Sequence, residues 1–311
     1  MTKITSLQAI AGALLALGLS AAPAAALRNQ TFVSGKGTDA GACAYAAPCR
    51  SFAFALTQTN AGGVIVVLDP SGYGPVTITK AISIVNDGAG TAGITASSGN
   101  AITINAGASD SVHLRGLSIE GLGSGANGIV FNSGGNLAIE NCVIRDFAGR
   151  GINIVPTTSS SFSVSNTIAS KNFMGILVKP TGSAVVTGVL SKVTANNNFA
   201  NGIFVDGAVT TGASLNVTIV DSVASNNPGT GIFVNSITGG HAVTAVMVRN
   251  VVISNNGTGL CSANATLRVA HSVVTGNNTV VCMIGTDSYG DNDIDGNANN
   301  NTGNLTVIPA H

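Results

Sequence analysis

Short stretches in which apolar and polar residues alternate recur along most of the chain. One such phrase begins with glycine followed by isoleucine and occurs at Gly128, Gly151, Gly175, Gly202 and Gly231, with a degraded copy at Gly259. The intervals between these copies are 23, 24, 27, 29 and 28 residues. Alternation over a few residues is typical of a β-strand with one buried face. The pattern therefore predicts one short strand per repeat, with the isoleucine side chains turned inward.

Two further features lie between these strands. A second alternating phrase ends in a polar residue, as in residues 137–141 and 246–250, and asparagine-rich turns follow, as in 196–198 and 226–227. No helical pattern intervenes, so each repeat is predicted to be one coil of an all-β, single-stranded parallel β-helix whose stacked coils bury a continuous apolar column. At about 25 residues per coil, residues 63 to 300 correspond to nine or ten coils.

The open ends of such a solenoid would pair with other chains unless they were covered. Residues 50–57 form the only convincing short helix candidate beyond the leader, and they lie just before the first coil. We expect this helix to cap the N-terminal end. The predicted organisation is a leader at 1–26, an N-terminal strand, cysteine loop and capping helix at 27–62, and the β-helix at 63–311.

The leader has the pattern of a signal peptide. Lys3 supplies the positive charge, residues 9–19 the apolar stretch, and residues 22–26 the small side chains of a cleavage region, with cleavage after Ala24 or Ala26. The alternative is a membrane anchor, but the apolar run is short for a bilayer. We expect a secreted protein, extracellular or periplasmic, with no membrane contact after leader removal.

Export permits disulfides. Cys43 and Cys49 are six residues apart in a loop, and Cys261 and Cys282 fall above one another when neighbouring coils are aligned on their asparagine pairs. Adjacent coils bring Cα atoms to about 4.8 Å, which is within the range for a disulfide. We predict both bridges and a free, structural Cys142.

Charge limits the function classes. Charged residues make up 8% of the chain and the formal net charge is zero, against about 25% charged residues in an average globular domain. This composition excludes coiled coils and argues against a nucleic-acid partner.

Several segments resemble the opening of pectin-lyase-like right-handed parallel β-helix proteins. They are residues 31–39, 47–51, 62–66 and 74–78, and the repeats that follow resemble the coils of that superfamily over about 30–311. The resemblance implies the right-handed twist of the solenoid. It implies little about activity, because the superfamily includes lyases, hydrolases, adhesins and uncharacterised secreted proteins.

Catalytic signatures of that superfamily are missing. Its polysaccharide lyases use a basic residue, usually with calcium on several carboxylates, and its polygalacturonases use clustered aspartates. Here Asn166-Thr is followed by Ile168, Gly240-His by Ala242, and no Asp-Asp pair occurs. No catalytic residue can be carried over.

The carboxylates in the middle of the chain allow two interpretations. Glu140 and Asp146 could form a catalytic acid cluster. Alignment of the coils instead places opposite charges on neighbouring coils, pairing Arg115 with Glu140, Glu120 with Arg145, Asp146 with Lys171 and Lys179 with Asp206. This spacing favours ion pairs on the outer surface, each contributing up to about 1 kcal/mol.

The same alignment stacks polar residues at equivalent turn positions. These residues are Asn141, Asn166, Ser191, Asp221, Asn250 and His271. We interpret them as a structural ladder.

One string resembles the first half of a calcium-binding loop. Asp291, Asp293 and Asp295 occupy loop positions 1, 3 and 5, and Gly296 occupies position 6, but Thr302 replaces the glutamate expected at position 12. The alternative is a final turn and strand. Calcium is therefore a weak hypothesis, and no other cofactor is expected.

The strands that begin with glycine and isoleucine contain the candidate binding site. If their isoleucine and valine side chains point inward, Leu177, Phe204 and Phe233 point outward in a column. Polar residues beside the column, namely Lys179, Asp206 and Asn235, would complete an apolar floor with polar edges for a sugar chain. Longer repeats place insertions after two of these strands, which could form a wall along the column.

The leading hypothesis is non-catalytic binding of a polysaccharide or cell-surface glycan. The first alternative is a polysaccharide lyase or glycoside hydrolase, and the second is a structural or adhesive surface protein. The column could also lie beneath the adjoining loops.

Overall fold

The computed structural model describes residues 27–282 and 285–309. The predicted leader lies outside the described residues. Three long sheets of parallel strands run the length of the molecule, and the chain visits them in turn, so that each strand pairs with its equivalents in the preceding and following coils. Only one helix, α1 (Phe52–Gln58), occurs in the described residues.

Sheet 1 contains the first strand of each coil. Its strands are β1 (Arg28–Val33), β2 (Thr59–Val67), β5 (Ile82–Val85), β8 (Ser111–Arg115), β11 (Asn136–Glu140), β14 (Ser160–Ser165), β17 (Val186–Ser191), β20 (Ser214–Val220), β23 (Val243–Arg249), β26 (Thr266–Ala270), β29 (Thr286–Ser288) and β31 (Leu305–Val307). Sheet 2 contains the second strand of each coil. Its strands are β3 (Ser71–Gly72), β6 (Ala92–Thr95), β9 (Leu117–Glu120), β12 (Val143–Arg145), β15 (Ile168–Ser170), β18 (Thr194–Asn196), β21 (Val223–Ser225), β24 (Val252–Ser254), β27 (Val273–Thr275) and β30 (Asp293–Ile294).

Sheet 3 contains the strands that begin with glycine and isoleucine. Its strands are β4 (Val76–Ile78), β7 (Asn100–Asn105), β10 (Asn127–Ser133), β13 (Arg150–Ile154), β16 (Met174–Val178), β19 (Ile203–Asp206), β22 (Thr230–Asn235), β25 (Thr258–Ala263) and β28 (Thr279–Val281). The expected all-β parallel solenoid is therefore confirmed, and the predicted inward column is fully buried at Ile176, Ile203 and Ile232.

About seven coils, from β8 to β28, follow the repeat strictly, against the nine or ten expected. In these seven, the corner between sheets 1 and 2 contains a single residue at positive φ, which turns the chain sharply. These residues are Gly116, Asn141, Asn166, Lys192, Asp221, Asn250 and His271. The coils at either end are less regular. Ser191 was expected in this set, but it lies opposite Ser165 within sheet 1, and Lys192 takes the corner.

A second ladder, buried, follows the corner between sheets 2 and 3. It consists of Asn172, Asn198, Asn227, Asn256, Asn277 and Asn297. Each of the first five donates from its backbone N–H and from its side-chain Nδ2 to the Oδ1 of the next, over 2.9–3.3 Å. This ladder satisfies the polar groups of a turn that is excluded from water.

The N-terminal end of the solenoid is capped by α1, as expected. Ser51 is the N-cap residue, and its side chain accepts a hydrogen bond from the N–H of Phe54. Phe52 is fully buried and packs against the ring of Tyr73, with ring centroids 5.0 Å apart. The preceding strand β1 pairs with β2, so it belongs to sheet 1.

Both predicted disulfides are present. Cys43 and Cys49 have Cα atoms 4.8 Å apart, and Cys261 and Cys282, on adjacent coils, have Cα atoms 5.1 Å apart. Cys142 is buried and free. Its Sγ contacts the backbone oxygen of Glu140 at 3.2 Å, in the manner of the Ser222 hydroxyl, which bonds Val220 O at 2.7 Å in an equivalent corner. Burial raises the pKa of the Cys142 thiol to about 11.

No helix in the described part of the chain is long and apolar enough to cross a membrane.

Candidate functional site

Leu177, Phe204 and Phe233 occupy one column on the outer face of sheet 3. The strand register places Leu177 beside Phe204 and Phe204 beside Phe233. Leu177 is buried, with 4% of its surface exposed, whereas the two phenylalanines are half-buried. The predicted column is therefore formed, and the phenylalanines are partly accessible to a ligand.

The two phenylalanine rings stack on each other. Their centroids are 4.6 Å apart and their planes differ by 5°. Because the rings follow one another along the solenoid axis, each turns one face toward its partner and only an edge toward solvent. An aromatic edge carries partial positive charge, which suits contact with sugar oxygens better than stacking on an apolar sugar face.

A polar network borders the column. Lys179 Nζ lies 2.8 Å from Asp206 Oδ2, and Asp206 Oδ1 accepts hydrogen bonds from Asn235 Nδ2 at 2.9 Å and from the N–H of Ala208 at 3.1 Å. The Asp206 side chain is only 4% exposed. The expected pairing of Lys179 with Asp206 is confirmed, and this carboxylate is occupied by structural partners, so it is poorly placed to accept a proton from a substrate.

The column meets different neighbours at its two ends. Asn153 lies beside Leu177 on the preceding coil, and Cys261 lies beside Phe233 on the following one. The Cys261–Cys282 disulfide therefore continues the column toward the C-terminal end.

The insertion after β22, residues 236–242, lies beside strands of sheet 1. It borders a concavity of about 580 Å³ whose lining includes Ile237, His241, Thr244 and Thr266. Another concavity of about 540 Å³ lies on the outer face of sheet 1, with Thr187, Asn216 and Arg268 in its lining. Neither concavity includes Phe204 or Phe233 in its lining.

Carboxylates in the middle of the chain lie beside basic side chains. Glu120 lies 3.2 Å from Arg145, as expected from the alignment. Glu140 pairs with His113 at 3.3 Å, while Arg115, which was expected to pair with Glu140, contacts Asp87 instead. These pairs favour a structural role for the carboxylates over an acid cluster.

Two other expected roles changed in detail. Asp146 was expected to pair with Lys171 but lies 3.8 Å from Arg145. His271 lies at the corner between sheets 1 and 2, where its Nε2 is 3.2 Å from Asp291 Oδ2. Among the positive-φ residues at the corner between sheets 1 and 2, Asn250 Nδ2 donates a hydrogen bond to Asp221 Oδ1 at 2.6 Å.

The three aspartates of the calcium-like string interact with different partners. Asp291 accepts from the N–H of His271, Asp295 accepts from Asn300 Nδ2, and Asp293 lies exposed in β30 beside Val273. Within residues 27–282 and 285–309, no group of three or more histidine, cysteine, aspartate or glutamate side chains could hold a metal ion. The calcium hypothesis gains no support from this geometry.

Two exposed phenylalanines were not singled out by the sequence analysis. Phe173 and Phe199 lie at the corner between sheets 2 and 3 and are 47% and 72% exposed. Each directly follows a buried ladder asparagine, Asn172 or Asn198. That shared offset is the sequence signal that could have found them.

Comparison with known proteins identifies the fold through structure alone. No family model and no curated protein sequence matches the chain. Among solved structures, pectate lyase Pel9A superposes with a TM-score of 0.59 at 15% identity, covering 86% of this chain and 81% of that one. The chain has a parallel β-helix fold similar to that of this pectate lyase. The A-module of the mannuronan C-5 epimerase AlgE4 from Azotobacter vinelandii is similar at a TM-score of 0.45 and 13% identity, covering 80% of this chain and 90% of that one.

Proposed function

We propose that this secreted protein binds an extended polysaccharide or cell-surface glycan along the outer face of sheet 3, without changing it chemically. The observation that carries the proposal is the column of Leu177, Phe204 and Phe233 beside the network of Lys179, Asp206 and Asn235. Aromatic ring edges with fixed polar groups along one side match the rim of a sugar chain, where the hydroxyl oxygens lie.

The non-catalytic part of the proposal rests on the carboxylates. A glycosidase needs two carboxyl groups facing each other across the substrate. Asp206 is surrounded by structural partners, and Glu120 and Glu140 are each held by a basic side chain. The fold is shared with a pectate lyase, which supports a polysaccharide as the partner class. Two disulfides support an oxidising compartment outside the cytoplasm.

A glycan array followed by affinity electrophoresis of the purified protein in polysaccharide gels tests the proposal. We expect retardation by at least one polysaccharide, and weaker retardation of the variant Phe204→Ala/Phe233→Ala. The matched control is Val189→Ala, which removes a 42% exposed apolar side chain from the outer face of sheet 1. Equal retardation of the double variant and the wild type would place binding elsewhere.

An assay for unsaturated products and new reducing ends, on polyuronates and neutral polysaccharides, tests the absence of catalysis. Accumulation of either product would replace this proposal with the lyase or hydrolase alternative.

A further inference from the structure

The corner between sheets 2 and 3 carries an uncharged line of residues along the solenoid. The backbone amide of Phe199 donates to the oxygen of Asn172, and that of Ala200 donates to the oxygen of Phe173, which places Phe199 beside Phe173 on the next coil. Equivalent bonds join the other neighbouring coils of this line. The exception is Pro228, which has no N–H but follows the ladder residue Asn227 as Phe199 follows Asn198. We call this line the aromatic edge, and its residues are Ala126, Ala148, Phe173, Phe199, Pro228, Gly257 and Asn278.

The two aromatic residues of this edge are exposed, whereas other phenylalanines of the fold, such as Phe52 and Phe131, are buried. Complete burial of a phenylalanine side chain contributes about 1.5–3 kcal/mol, yet Phe173 is 47% and Phe199 72% exposed. Within the described residues, neither ring is paired with another aromatic ring, unlike Phe204 and Phe233. Both rings of the aromatic edge are therefore accessible to a ligand. Small residues on either side leave room for a chain to continue past the rings.

Polar side chains flank the aromatic edge on both sides. On the side of sheet 2, Asn197, Asn226 and Asn255 are exposed at positive φ, and their side-chain amides make no hydrogen bond within the described part of the protein. On the side of sheet 3, Asn201 and Thr230 are half-buried polar residues on neighbouring coils, and the N–H of Thr230 donates to Asn201 Oδ1. The coil spacing repeats these groups about every 4.8 Å.

We propose that the aromatic edge is a second polysaccharide-binding track, specific for chains of neutral sugars; this inference rests on the proposed function. A pyranose ring presents apolar C–H groups on its faces and hydroxyl groups at its rim. The aromatic edge presents open aromatic faces between two rows of amide and hydroxyl groups, which is the complementary arrangement. The flanking row beside sheet 2 carries one lysine, Lys171, next to Phe173 and is uncharged at Asn197, Asn226 and Asn255, which favours neutral sugars over uronates on these coils.

Other occupants fit less well. A stable protein partner requires about 800 Å² from each side, and a convex corner one residue wide offers far less. An anionic membrane or a nucleic acid requires a cluster of basic residues, whereas the flanking row contains a single basic residue, Lys171, between Asp146 and Asn197.

The chain contains no tryptophan, so single substitutions create site-specific fluorescent reporters. Phe199→Trp reports on the aromatic edge and Phe233→Trp on the column of sheet 3. Each is titrated with cellohexaose, mannohexaose and oligogalacturonate. We expect the emission of Phe199→Trp to shift with a neutral oligosaccharide, and the added substitution Phe173→Ala to weaken that binding about tenfold, the effect of losing one good aromatic contact.

The outcomes separate the two proposals. A silent Phe199→Trp beside a responsive Phe233→Trp overturns the aromatic edge and leaves the proposed function standing. Silence of both reporters with every oligosaccharide overturns both proposals. A tighter response of Phe199→Trp to oligogalacturonate than to neutral sugars overturns the neutral specificity. Both edge rings are exposed, so an unchanged thermal midpoint for Phe173→Ala is the check that the variant is folded.

Discussion

Asn227 donates from Nδ2 to Oδ1 of Asn256 at 2.9 Å, while its own Oδ1 accepts from both the N–H and the Nδ2 of Asn198. One fully buried side chain thus connects three consecutive coils. A fourth bond, from Asn227 Nδ2 to the backbone oxygen of Ala195 at 3.1 Å, ties the amide to sheet 2 of the preceding coil. All of its polar atoms are therefore satisfied away from water.

We predict that Asn227→Ala lowers the free energy of unfolding by about 2–4 kcal/mol, because it leaves several buried donors and acceptors without partners. The matched control is Asn216→Ala, which removes an exposed asparagine from sheet 1 and should cost less than about 1 kcal/mol. Urea unfolding followed by circular dichroism measures both values. Equal losses would contradict a structural role for the buried ladder.

A charge among the buried isoleucines of sheet 3 should destabilise the fold far more than loss of a charge on the outer face of that sheet. Ile203 is fully buried, and Ile203→Asp would place a carboxylate without a partner among the isoleucines. We expect failure to fold or a large fall in thermal midpoint. Lys179→Ala should lower the midpoint less, because the buried carboxylate of Asp206 keeps its hydrogen bonds from Asn235 and Ala208. Comparable midpoints for the two variants would show that the inner and outer faces of sheet 3 are exchanged.

The bridge between coils should stabilise more than the bridge within the N-terminal loop. The Cys261–Cys282 disulfide spans 21 residues and Cys43–Cys49 spans six, which corresponds to about 3 and about 2 kcal/mol from loop-closure entropy. Paired cysteine-to-serine variants and their thermal midpoints test this order. A non-reducing peptide map should show both bridges, and any peptide joined to Cys142 would contradict the pairing.

Cys142 should make stability depend on pH in the alkaline range. Its pKa is raised by burial from 9.0 to about 11, so the unfolded chain loses this proton first. Between these two values the folded state holds more protons, and stability falls by up to about 1.4 kcal/mol per pH unit as the pH rises.

Cys142→Ser isolates this contribution. Serine occupies the equivalent corner at Ser222 and Ser272, so the variant should fold. The difference in unfolding free energy between the wild type and the variant should change from pH 9 to pH 11. A constant difference would show that the thiol is accessible to solvent, and rapid labelling of the folded protein by a thiol reagent would show the same.

Strand register was predictable from the sequence because a solenoid aligns its repeats in one dimension. Matching phrases sufficed to place Phe204 beside Phe233 and Cys261 beside Cys282. The contacts of long side chains were harder to predict from the sequence. The long side chain of Arg115 can reach a neighbour on either adjoining coil, and it contacts Asp87 although Glu140 shares its register.

Two further features depend on dihedral angles that the repeat pattern does not specify. The asparagine-rich turns were visible, but the inward choice of Asn198 over Asn197 follows from the positive φ of Asn197. The mutual stacking of the two phenylalanine rings depends on their side-chain torsions. Both features therefore required a three-dimensional structure.

The parallel register of the sheets has a consequence for how this chain acquires its structure during synthesis. Apart from the first strand of each sheet, each strand pairs with a segment that lies earlier in the chain, such as Asn136 with Ser111 or Val217 with Gly188. The capping helix precedes all but one of the strands in residues 27–282 and 285–309. When the polypeptide emerges N-terminus first, each new coil can therefore pair with a coil that has already been synthesised. The solenoid can fold by successive addition of coils, and no coil depends on residues that are translated later.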